Sequence, residues 1–374
     1  MLNRLDTLLI KVASRCNLDC SYCYVYQGQD QNWVNQPKRM SQGTIGSICN
    51  SLNQVISFQE SGFAVVLHGG EPLLLGATRL EEMLSNFRMV LPNHHKYPIA
   101  IQTNGMLIND EILEICSRYK TSISVSLDGV KKANDIARFT HDGKSSFQKV
   151  VNGIDKLVSH PDRDFLFSGT LSVIQPTTSP IEKKKKKKSI GSKSIDVLLQ
   201  DGNHTYLPKG KESFESIEYG EWLGELLEYY LRDPEPVPIR FFDDLIKIIL
   251  GGNPDKEGKG ENNFGILVIE TNGEIRKNDT LRATFDGADY FEKHPNINEP
   301  NTLIDTLKSK EYVEASKIQK PTCQNCINCE INFICGGGMP LSRWSKEKEF
   351  DNPSIYCNDH KYYIYKLLDL MGIK

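Results

Sequence analysis

Three cysteines near the start of the sequence are the residues whose types and spacing most directly suggest chemistry. Cys16, Cys20 and Cys23 lie in the segment ASRCNLDCSYCYVYQ, residues 13–27. A structural zinc ion is normally closed by four protein ligands, and an iron–sulfur cube usually takes one cysteine for each of its four irons. Three thiolates therefore leave one coordination position open, and an open position is where a substrate or cofactor can reach the metal.

A second group of cysteines lies near the other end of the sequence. It consists of Cys323, Cys326, Cys329, Cys335 and Cys357, so eight of the ten cysteines fall into the two groups. In a reducing compartment, cysteines grouped this tightly are typical of metal ligands rather than disulfide partners. We therefore expect a metal site from each group.

Composition and charge bound the class of protein. The 374 residues are 39% hydrophobic and 25% charged, which suits a folded chain with one large domain and a smaller one. The net charge of -3 gives no general reason to expect nucleic acid or a membrane as partner. The first residues lack the apolar core of a signal peptide, and no apolar run approaches the roughly 18 residues that span a bilayer. We expect a cytoplasmic protein.

Six short apolar, β-branched runs alternate with stretches of helical periodicity. This alternation predicts parallel strands joined by right-handed crossovers, and hence an α/β fold: a partial (β/α)6 barrel, similar to a TIM barrel, with its chemistry at the carboxyl ends of the strands. The predicted strands begin near Thr7, Phe63, Tyr97, Thr121, Phe165 and Ser194, and the predicted helices span residues 44–58, 79–90, 110–119, 145–158 and 181–190.

Segments with polar and small residues directly follow most of these predicted strands. Besides the three-cysteine segment they are HGGEP, QTNG, SLDG and QDGNH, which begin at His68, Gln102, Ser126 and Gln200. Because the carboxyl ends of parallel strands meet at one edge of a sheet, these segments are expected to gather around the first cysteine group.

After Asp201 the pattern changes. Residues 219–233 and 240–250 have the periodicity of amphipathic helices, residues 251–263 are typical of a loop, and the segment FGILVIETNGEIRKND predicts a hairpin that turns at TNG. We predict a barrel over residues 1–215, a helical bridge over 216–260 and a cysteine-rich domain over 261–374.

Six consecutive lysines, Lys183–Lys188, fall within the last predicted helix of the barrel. They leave that helix without an apolar face, so we expect a solvated or altered segment there rather than a binding patch for acidic partners.

The spacing C-x3-C-x2-C at the end of the first predicted strand, with Tyr22 directly before the last cysteine, resembles that of the radical S-adenosylmethionine (SAM) superfamily. The resemblance implies that Cys16, Cys20 and Cys23 bind a [4Fe–4S] cluster whose open iron takes SAM. It also implies the reaction, in which the reduced cluster splits SAM and a 5'-deoxyadenosyl radical removes hydrogen from an unactivated carbon. The protein orients and shields the reactants.

The segments at the following strand ends match the superfamily's pattern in the same order, and the resemblance implies SAM contacts for them. HGGEP would hold the methionine amino group, QTNG and SLDG would line the pocket, and an arginine after the fourth strand would pair with the SAM carboxylate. Together with Tyr22, the implied cofactor-binding residues are Gly69, Gly70, Glu71, Pro72, Gln102, Asn104, Ser126, Asp128 and Arg138.

Residues 323–357 resemble the C-terminal region of the SPASM families, which carry auxiliary iron–sulfur clusters and modify peptides or proteins. A second auxiliary site is expected to be absent, because Asn278 and Met339 stand where cysteines are usual, and carboxamide and thioether are poor ligands for iron. Cys323 is either an alternate ligand or a spare thiol. The residues implied to hold one auxiliary [4Fe–4S] cluster are Cys326, Cys329, Cys335 and Cys357.

Within that superfamily, the segments that begin at Leu198 and Ile269 and the segment CGGGMPLSRW look like those of FxsB-type and cyclophane-forming peptide maturases. The implied partner is a ribosomal precursor peptide with a leader and an aromatic-containing core. The implied product is a carbon–carbon crosslink between an aromatic ring and a side-chain β-carbon. A low-potential donor such as flavodoxin or ferredoxin would supply electrons, and we expect no separate leader-binding domain ahead of the first strand.

Crosslinking of this kind needs an acceptor for one electron and a base for one proton. The auxiliary cluster is the candidate electron acceptor. Asp279 is the first candidate for the base and Asp201 the second, although either aspartate could instead cap a turn.

Two alternatives stay open. An enzyme of the anaerobic sulfatase-maturating type would oxidise Ser or Cys to formylglycine, although such enzymes usually have both auxiliary sites filled; thioether formation and epimerisation are further SPASM reactions. A non-catalytic metal-binding or electron-carrying protein is the other alternative, and cleavage of SAM would exclude it.

Overall fold

The structure is a computed structural model that describes residues 4–373. Its strands are β1 (Thr7–Ala13), β2 (Ala64–Gly69), β3 (Ile99–Thr103), β4 (Thr121–Ser126), β5 (Phe167–Val173), β6 (Ile195–Leu198), β7 (Ile266–Ile269) and β8 (Ile275–Arg276). Its helices are α1 (Gln42–Phe58), α2 (Ala77–Val90), α3 (Asp110–Arg118), α4 (Lys131–Asn134), α5 (Phe147–Ser159), α6 (Arg163–Leu166), α7 (Pro180–Ser189), α8 (Glu218–Arg232), α9 (Arg240–Ile249), α10 (Thr302–Lys308), α11 (Lys310–Lys317), α12 (Gln324–Ile327), α13 (Asn332–Cys335) and α14 (Cys357–Leu370). All six predicted barrel strands and all five predicted barrel helices are therefore present.

The chain packs as two compact units. Unit 1 comprises the described residues up to 127 together with residues 137–169 and 264–316, and unit 2 comprises residues 128–136, 170–263 and the described residues from 317. The domain boundaries at 215 and 260 stay a prediction from sequence. Within residues 4–373, no helix combines the length and the apolar character needed to cross a membrane.

The sheet of unit 1 has the strand order β4-β3-β2-β1-β7-β8. β1 pairs in parallel with both β2 and β7, whereas β8 is antiparallel to β7, so the hairpin predicted at TNG is confirmed. The hairpin extends the sheet beyond β1 and belongs to unit 1, not to the cysteine-rich end of the chain. Asp279 begins a 3-10 helix shortly after β8 and therefore lies in the same unit as the three-cysteine segment.

The two faces of this sheet carry different side chains. Val65 and Leu67 of β2 and Ile101 of β3 are buried. His68 and Gln102 point to the opposite face, because side chains alternate along a strand. In an α/β barrel the helices cover the apolar outer face, so the face with His68 and Gln102 lines the interior.

Unit 2 is held together by a separate apolar core. Helices α8 and α14 pack side by side in it, and Leu223 and Leu227 of α8 and Ile364 and Leu367 of α14 are fully buried. Their burial favours this packing because apolar area is removed from water. α14 has 14 residues, so the C-terminal region contains more regular structure than the sequence pattern predicted.

The prediction of a solvated or altered segment at Lys183–Lys188 is wrong for three of the six lysines, which the structure buries. Lys183 and Lys184 on α7 are each 2% exposed, and Lys187 is 0% exposed. The Lys183 ammonium donates to the carbonyl of Val173 at 2.9 Å, and the Lys184 ammonium lies 2.8 Å from the Asp233 carboxylate. Long lysine stems can cover apolar surface while the ammonium reaches a polar partner, and this gives the helix a buried face that its composition does not reveal.

Candidate active site

The three-cysteine loop follows β1 in unit 1, and none of the ten cysteines, all of which lie within residues 4–373, forms a disulfide bond. Burial raises the pKa of the Cys16 thiol to about 12, so this sulfur ionises at neutral pH only beside a strong positive charge such as a metal. Within residues 4–373, the one set of three metal-capable side chains whose ligand atoms lie within 4.8 Å of one another is carboxylic.

Glycines let the HGGEP segment approach β1 closely. A Cβ at Gly69 would lie 2.1 Å from the carbonyl oxygen of Ala13, and a Cβ at Gly70 would lie 2.5 Å from that of Arg15. Gly69 also has φ of 143°, a conformation that disfavours other residues. The two positions therefore require glycine, and they place the backbone of this segment against the end of β1, beside the three-cysteine loop.

Glu71 is fully buried, and its carboxylate is held by three donors of the protein. The backbone N–H groups of Leu73 and Asn104 donate to it at 3.0 and 2.8 Å, and the hydroxyl of Thr103 donates at 2.6 Å. The carboxylate thus ties the segment after β2 to the segment after β3. Its contact with SAM stays a prediction.

Two more predicted pocket residues meet the cysteine loop directly. The Asn104 amide donates to the side-chain oxygen of Asn17 at 2.6 Å and lies 3.8 Å from the sulfur of Cys16. The guanidinium of the buried Arg138 donates to the hydroxyl of Tyr22 at 2.9 Å. The structure therefore gathers segments from three strand ends around the loop, which is an arrangement that fits a cluster with a bound cofactor.

The remaining predicted site residues either bond to each other or belong to unit 2. Gln102 donates to the hydroxyl of Ser126 at 2.9 Å. Asp128 belongs to unit 2, where its carboxylate accepts the backbone N–H of Val173 at 3.0 Å. Asp201 also belongs to unit 2, and its contribution to a site stays a prediction.

A row of polar side chains crosses the interior face of the unit 1 sheet. Lys11 of β1 pairs in register with His68 of β2. Leu67 of β2 pairs with Ile101 of β3, so one residue further along His68 lies beside Gln102. Gln102 in turn pairs with Ser124 of β4. The Nδ1 atom of His68 and the hydroxyl of Ser124 are buried without a hydrogen-bond partner of normal geometry. Buried polar atoms normally have partners, so these two mark a place that a bound molecule or water would complete.

Asp279 lies at one end of this row. Lys11 Nζ is 2.5 Å from Asp279 Oδ1 and 3.1 Å from the carboxylate of Glu270, and the hydroxyl of Tyr24 donates to Asp279 Oδ2. Burial by itself would raise the pKa of Asp279, but the charges of Lys11 and Arg282 outweigh it and hold that pKa well below its usual range. The carboxylate is therefore ionised throughout the ordinary pH range.

Asp279 belongs to a larger set of buried charges, which we call the unit 1 ion network. Arg282 lies 2.7 Å from Asp30 and 3.1 Å from Glu270, and Arg276 lies 2.8 Å from Glu274. Each cation in this network therefore has carboxylate partners. Its members are Lys11, Asp30, Glu270, Glu274, Arg276, Asp279, Arg282 and Asp289.

The cysteines of the second group are brought together in unit 2 by short helices and a glycine turn. Cys326 lies on α12, Cys335 ends α13 and Cys357 begins α14. Gly336, Gly337 and Gly338 have φ values of 63°, 77° and 70°, so the chain can reverse directly after Cys335. Burial raises the pKa of the Cys335 thiol to about 12, as for Cys16. A metal cluster would favour the ionised thiolates, and Cys323, which shares its thiol hydrogen bond with Cys326, stays either a ligand or a spare thiol.

The two positions that lack the usual cysteines have other contacts. Asn278 caps the 3-10 helix Asp279–Ala283 by accepting the backbone N–H of Thr280 at 3.1 Å. Met339 packs its thioether against Gly258, where an added Cβ would lie 2.5 Å from the sulfur.

Sequence reasoning missed Lys11, Tyr24 and His68. Lys11 is a charged residue inside the apolar run TLLIKVA, and His68 stands at the end of the run AVVLH. An isolated polar residue in a buried strand was the available signal, because such a residue needs a partner or a ligand. The partner of Lys11 lies 268 residues away, so no local pattern could identify it.

Comparisons with known proteins bear on this arrangement. Residues 10–174 match the sequence model of the Radical SAM superfamily. The chain is 26% identical over 377 residues to the cysteine-type anaerobic sulfatase-maturating enzyme of Clostridium novyi (strain NT), across 96% of this chain and 94% of that enzyme. It is 24% identical over 387 residues to the radical SAM cyclopropyl synthase TigE of Paramaledivibacter caminithermalis, across 98% of this chain and 75% of that protein. A solved structure described as native anSMEcpe with bound AdoMet has a TM-score of 0.83 at 24% identity, with 98% of each chain covered.

These matches confirm the predicted α/β radical SAM fold and, with it, the prediction of a SAM-binding [4Fe–4S] cluster. They do not support the finer prediction of an FxsB-type or cyclophane-forming enzyme, because the relatives matched over nearly the whole chain are of the sulfatase-maturating and cyclopropyl-forming kinds. That prediction depended largely on segments at strand ends and in loops. Such segments vary more among relatives than the sheet that carries them.

Proposed function

We propose that this chain, whose residues 10–174 match the sequence model of the Radical SAM superfamily, oxidises the side chain of a cysteine in a peptide or protein substrate to the aldehyde of formylglycine. The similarity to a cysteine-type sulfatase-maturating enzyme over 96% of the chain supports this reaction class. The observation that carries the proposal is the carboxylate of Asp279, which is held ionised at the interior face of the unit 1 sheet with the hydroxyl of Tyr24 on one oxygen.

The cysteines would hold the groups that perform the redox chemistry. Cys16, Cys20 and Cys23 would bind the SAM-binding cluster, with Asn104 and Arg138 beside the loop. The second cysteine group would bind one auxiliary cluster. The bound groups supply removal of a hydrogen atom from the substrate Cβ and uptake of one electron, and a low-potential donor such as flavodoxin or ferredoxin would reduce the first cluster.

Removal of a hydrogen atom from Cβ, of one electron and of the thiol proton leaves a thioaldehyde, which water hydrolyses to the aldehyde with release of hydrogen sulfide. This chain's own residues have to accept the thiol proton. The Asp279 carboxylate is the acceptor that the geometry offers, because the Tyr24 hydroxyl on Oδ2 gives a proton a path to it. Lys11 and Arg282 hold the pKa of Asp279 low and make it a weak base, so the thiol has to lose its proton as the electron leaves, when its S–H bond is most acidic. Lys11 and Arg282 fix the carboxylate in place, which favours proton transfer to one defined position.

The interior row would bind the substrate side chain. His68 Nδ1 and the Ser124 hydroxyl are polar atoms without a protein partner of normal geometry, so a thiol or a backbone amide of the substrate can bond to them without displacing a well-formed hydrogen bond. The unit 1 ion network closes one end of the row.

The test is mass spectrometry of the anaerobically reconstituted enzyme with SAM, a reductant and a peptide that contains one cysteine, followed by a hydrazine probe for carbonyl groups. We expect deoxyadenosine and a peptide product in which oxygen replaces sulfur and which reacts with the hydrazine. The same peptide with alanine instead of cysteine is the control and should give no carbonyl.

Three other results would overturn the proposal in different ways. A product that loses a pair of hydrogens and does not react with hydrazine would indicate a crosslink. A carbonyl product from a serine peptide, with none from the cysteine peptide, would move the specificity to hydroxyl groups. Absence of deoxyadenosine with the clusters intact would reject radical SAM chemistry itself.

A further inference from the structure

Arg343 of unit 2 is a buried arginine without an acidic partner. It ends the 3-10 helix Pro340–Arg343, which follows the glycine turn after Cys335, and it is 0% exposed. One of its amino groups donates to the carbonyl oxygen of Ile318, whereas Nε and Nη1 have no hydrogen-bond partner. Of the ion pairs formed by residues 4–373, none includes Arg343, so its positive charge is buried and uncompensated by the protein's carboxylates.

The groups that can compensate this charge are thiols of the second cysteine group. Burial lowers the pKa of Arg343, and only the thiols of Cys326, Cys323 and Cys335, when ionised, act in the opposite direction. A buried unpaired cation is strongly unfavourable, as are buried N–H donors without acceptors. The structure around Arg343 is therefore complete only when negative charge and sulfur acceptors are present at these cysteines.

We propose that Arg343 is a positioning residue for the auxiliary cluster, where its Nε–H and Nη1–H groups face cluster or ligand sulfur and its charge raises the cluster's reduction potential. The inference rests on the auxiliary cluster of the proposed function. A cube bound by four thiolates carries net negative charge, and one-electron reduction adds to it. A fixed buried cation beside the cluster stabilises the reduced form more than the oxidised form, because the attraction grows with the cluster's charge.

This role would serve the proposed oxidation directly. The electron that leaves the substrate needs an acceptor whose potential is high enough to take it, and Arg343 would provide this through charge rather than through a change of ligands. His360 also contacts this group, with Nδ1 3.3 Å from the sulfur of Cys335.

The experiment is a potentiometric titration of the auxiliary cluster that is monitored by electron paramagnetic resonance. The protein is the full chain in which Cys16, Cys20 and Cys23 are changed to Ala, so that only the auxiliary cluster remains. In this background Arg343→Gln removes the charge and Arg343→Lys retains it. Lys361→Gln is the matched control, because Lys361 acts on the charge of Cys357 but is exposed to solvent that screens it.

We expect Arg343→Gln to shift the balance between oxidised and reduced cluster about tenfold toward oxidised, which is a potential about 59 mV more negative. Arg343→Lys should lie between this variant and the parent, and Lys361→Gln should stay close to the parent. An unchanged potential in Arg343→Gln, or an equal shift in Lys361→Gln, would overturn the proposal. If the parent chain itself binds no second cluster, the assignment of the auxiliary cluster fails instead, which is a separate result.

A second measurement decides the case in which Arg343→Gln does not retain its cluster. Urea unfolding of the iron-free protein then compares the two chains without any cluster. An unfolding midpoint for Arg343→Gln at or above that of the parent supports the proposal. In the iron-free protein the charge of Arg343 has no partner, so its removal should not lower the stability. A lower midpoint would mean that Arg343 stabilises the polypeptide by itself, and the proposal would be wrong.

Discussion

Two buried arginines, Arg282 in unit 1 and Arg343 in unit 2, are in opposite electrostatic situations. Arg282 lies within 3.5 Å of the carboxylates of Asp30, Glu270 and Asp279. Arg343 has no carboxylate partner and two nitrogens without acceptors. In unit 1 the protein supplies both signs of charge. Around Arg343 in unit 2 it supplies only the cation.

The difference shows where the unit 1 ion network and the site around Arg343 each obtain their negative charge. A network whose charges are already paired is formed by folding alone and can hold Asp279 ionised before any substrate arrives. A lone buried cation is stabilised only when an anionic group is bound, so the second site depends on its cluster for both charge and shape. Each prediction below tests one side of this contrast.

The largest expected effect is on catalysis, from Asp279→Asn. The variant cannot accept the substrate proton, so we expect product formation to fall by about 10²–10⁴-fold while deoxyadenosine still forms. Product and deoxyadenosine are measured together by liquid chromatography and mass spectrometry. Asp142→Asn, at an exposed pair with Lys144, is the control and should retain activity. Full product formation by Asp279→Asn would remove Asp279 from the mechanism and leave the ion network with a purely structural role.

Lys11→Met tests whether the unit 1 charges depend on each other. It removes one of the two cations that the buried carboxylates of Asp279 and Glu270 share and leaves them only Arg282, so we expect the free energy of unfolding to fall by up to about 3–5 kcal/mol. Urea titration measures it, with Arg118→Met as control, because Arg118 pairs with Glu81 at the surface and such a pair is worth about 0–1 kcal/mol. Equal losses in the two variants would mean that the buried network is no more coupled than a surface pair.

Asp289 is the exception within the paired network, since its Oδ1 has no partner. Burial raises the pKa of Asp289 to about 6. The charges of Arg276 and Arg282 lower this pKa, but by less than burial raises it. A carboxyl group with a raised folded pKa contributes stability that is present below its unfolded pKa and lost as pH rises through the folded pKa. The parent should therefore lose up to about 3 kcal/mol relative to Asp289→Asn as pH rises from about 4 to about 7.

Urea titrations of the parent and Asp289→Asn across this pH range measure that difference. Asp142→Asn is the control with the opposite sign, because a hydrogen bond from Lys144 lowers the pKa of the exposed Asp142 to about 2. The parent should then gain stability relative to Asp142→Asn as pH rises from about 2 to about 4. A difference for Asp289→Asn that does not vary between pH 4 and 7 would contradict the raised pKa.

His68→Leu should have the smallest effect on stability. Because Nδ1 of His68 is buried without a partner, its removal should leave the free energy of unfolding unchanged or raise it by about 1 kcal/mol, while product formation falls. The neighbouring Gln102→Met is the matched control, since it breaks the bond to Ser126 and should cost about 1 kcal/mol. A clear loss of stability in His68→Leu, with activity retained, would assign His68 a structural role. It would mean that His68, like the charges of the unit 1 ion network, has its partner within the protein.

Much of the fold could be predicted because its signals are local. Each of the six barrel strands is a short apolar run, and each predicted barrel helix has its own periodicity, so both were found with boundaries within a few residues. The buried lysines of α7 could not be predicted in this way. Their partners, Val173 and Asp233, lie outside the helix, and composition alone favoured a solvated segment.

By itself the sequence determined the chemistry that is available: two groups of cysteines, small and polar residues after strand ends, and an α/β chain to carry them. Spacing and alternation along the chain express these features directly. Only the tertiary structure decided which charges are paired. Asp279 meets Lys11 and Tyr24 across more than 250 positions, and Arg343 meets thiols but no carboxylate. The physical reason is that the energy of a buried charge depends on every group packed around it, and those groups come from parts of the chain that only folding brings together.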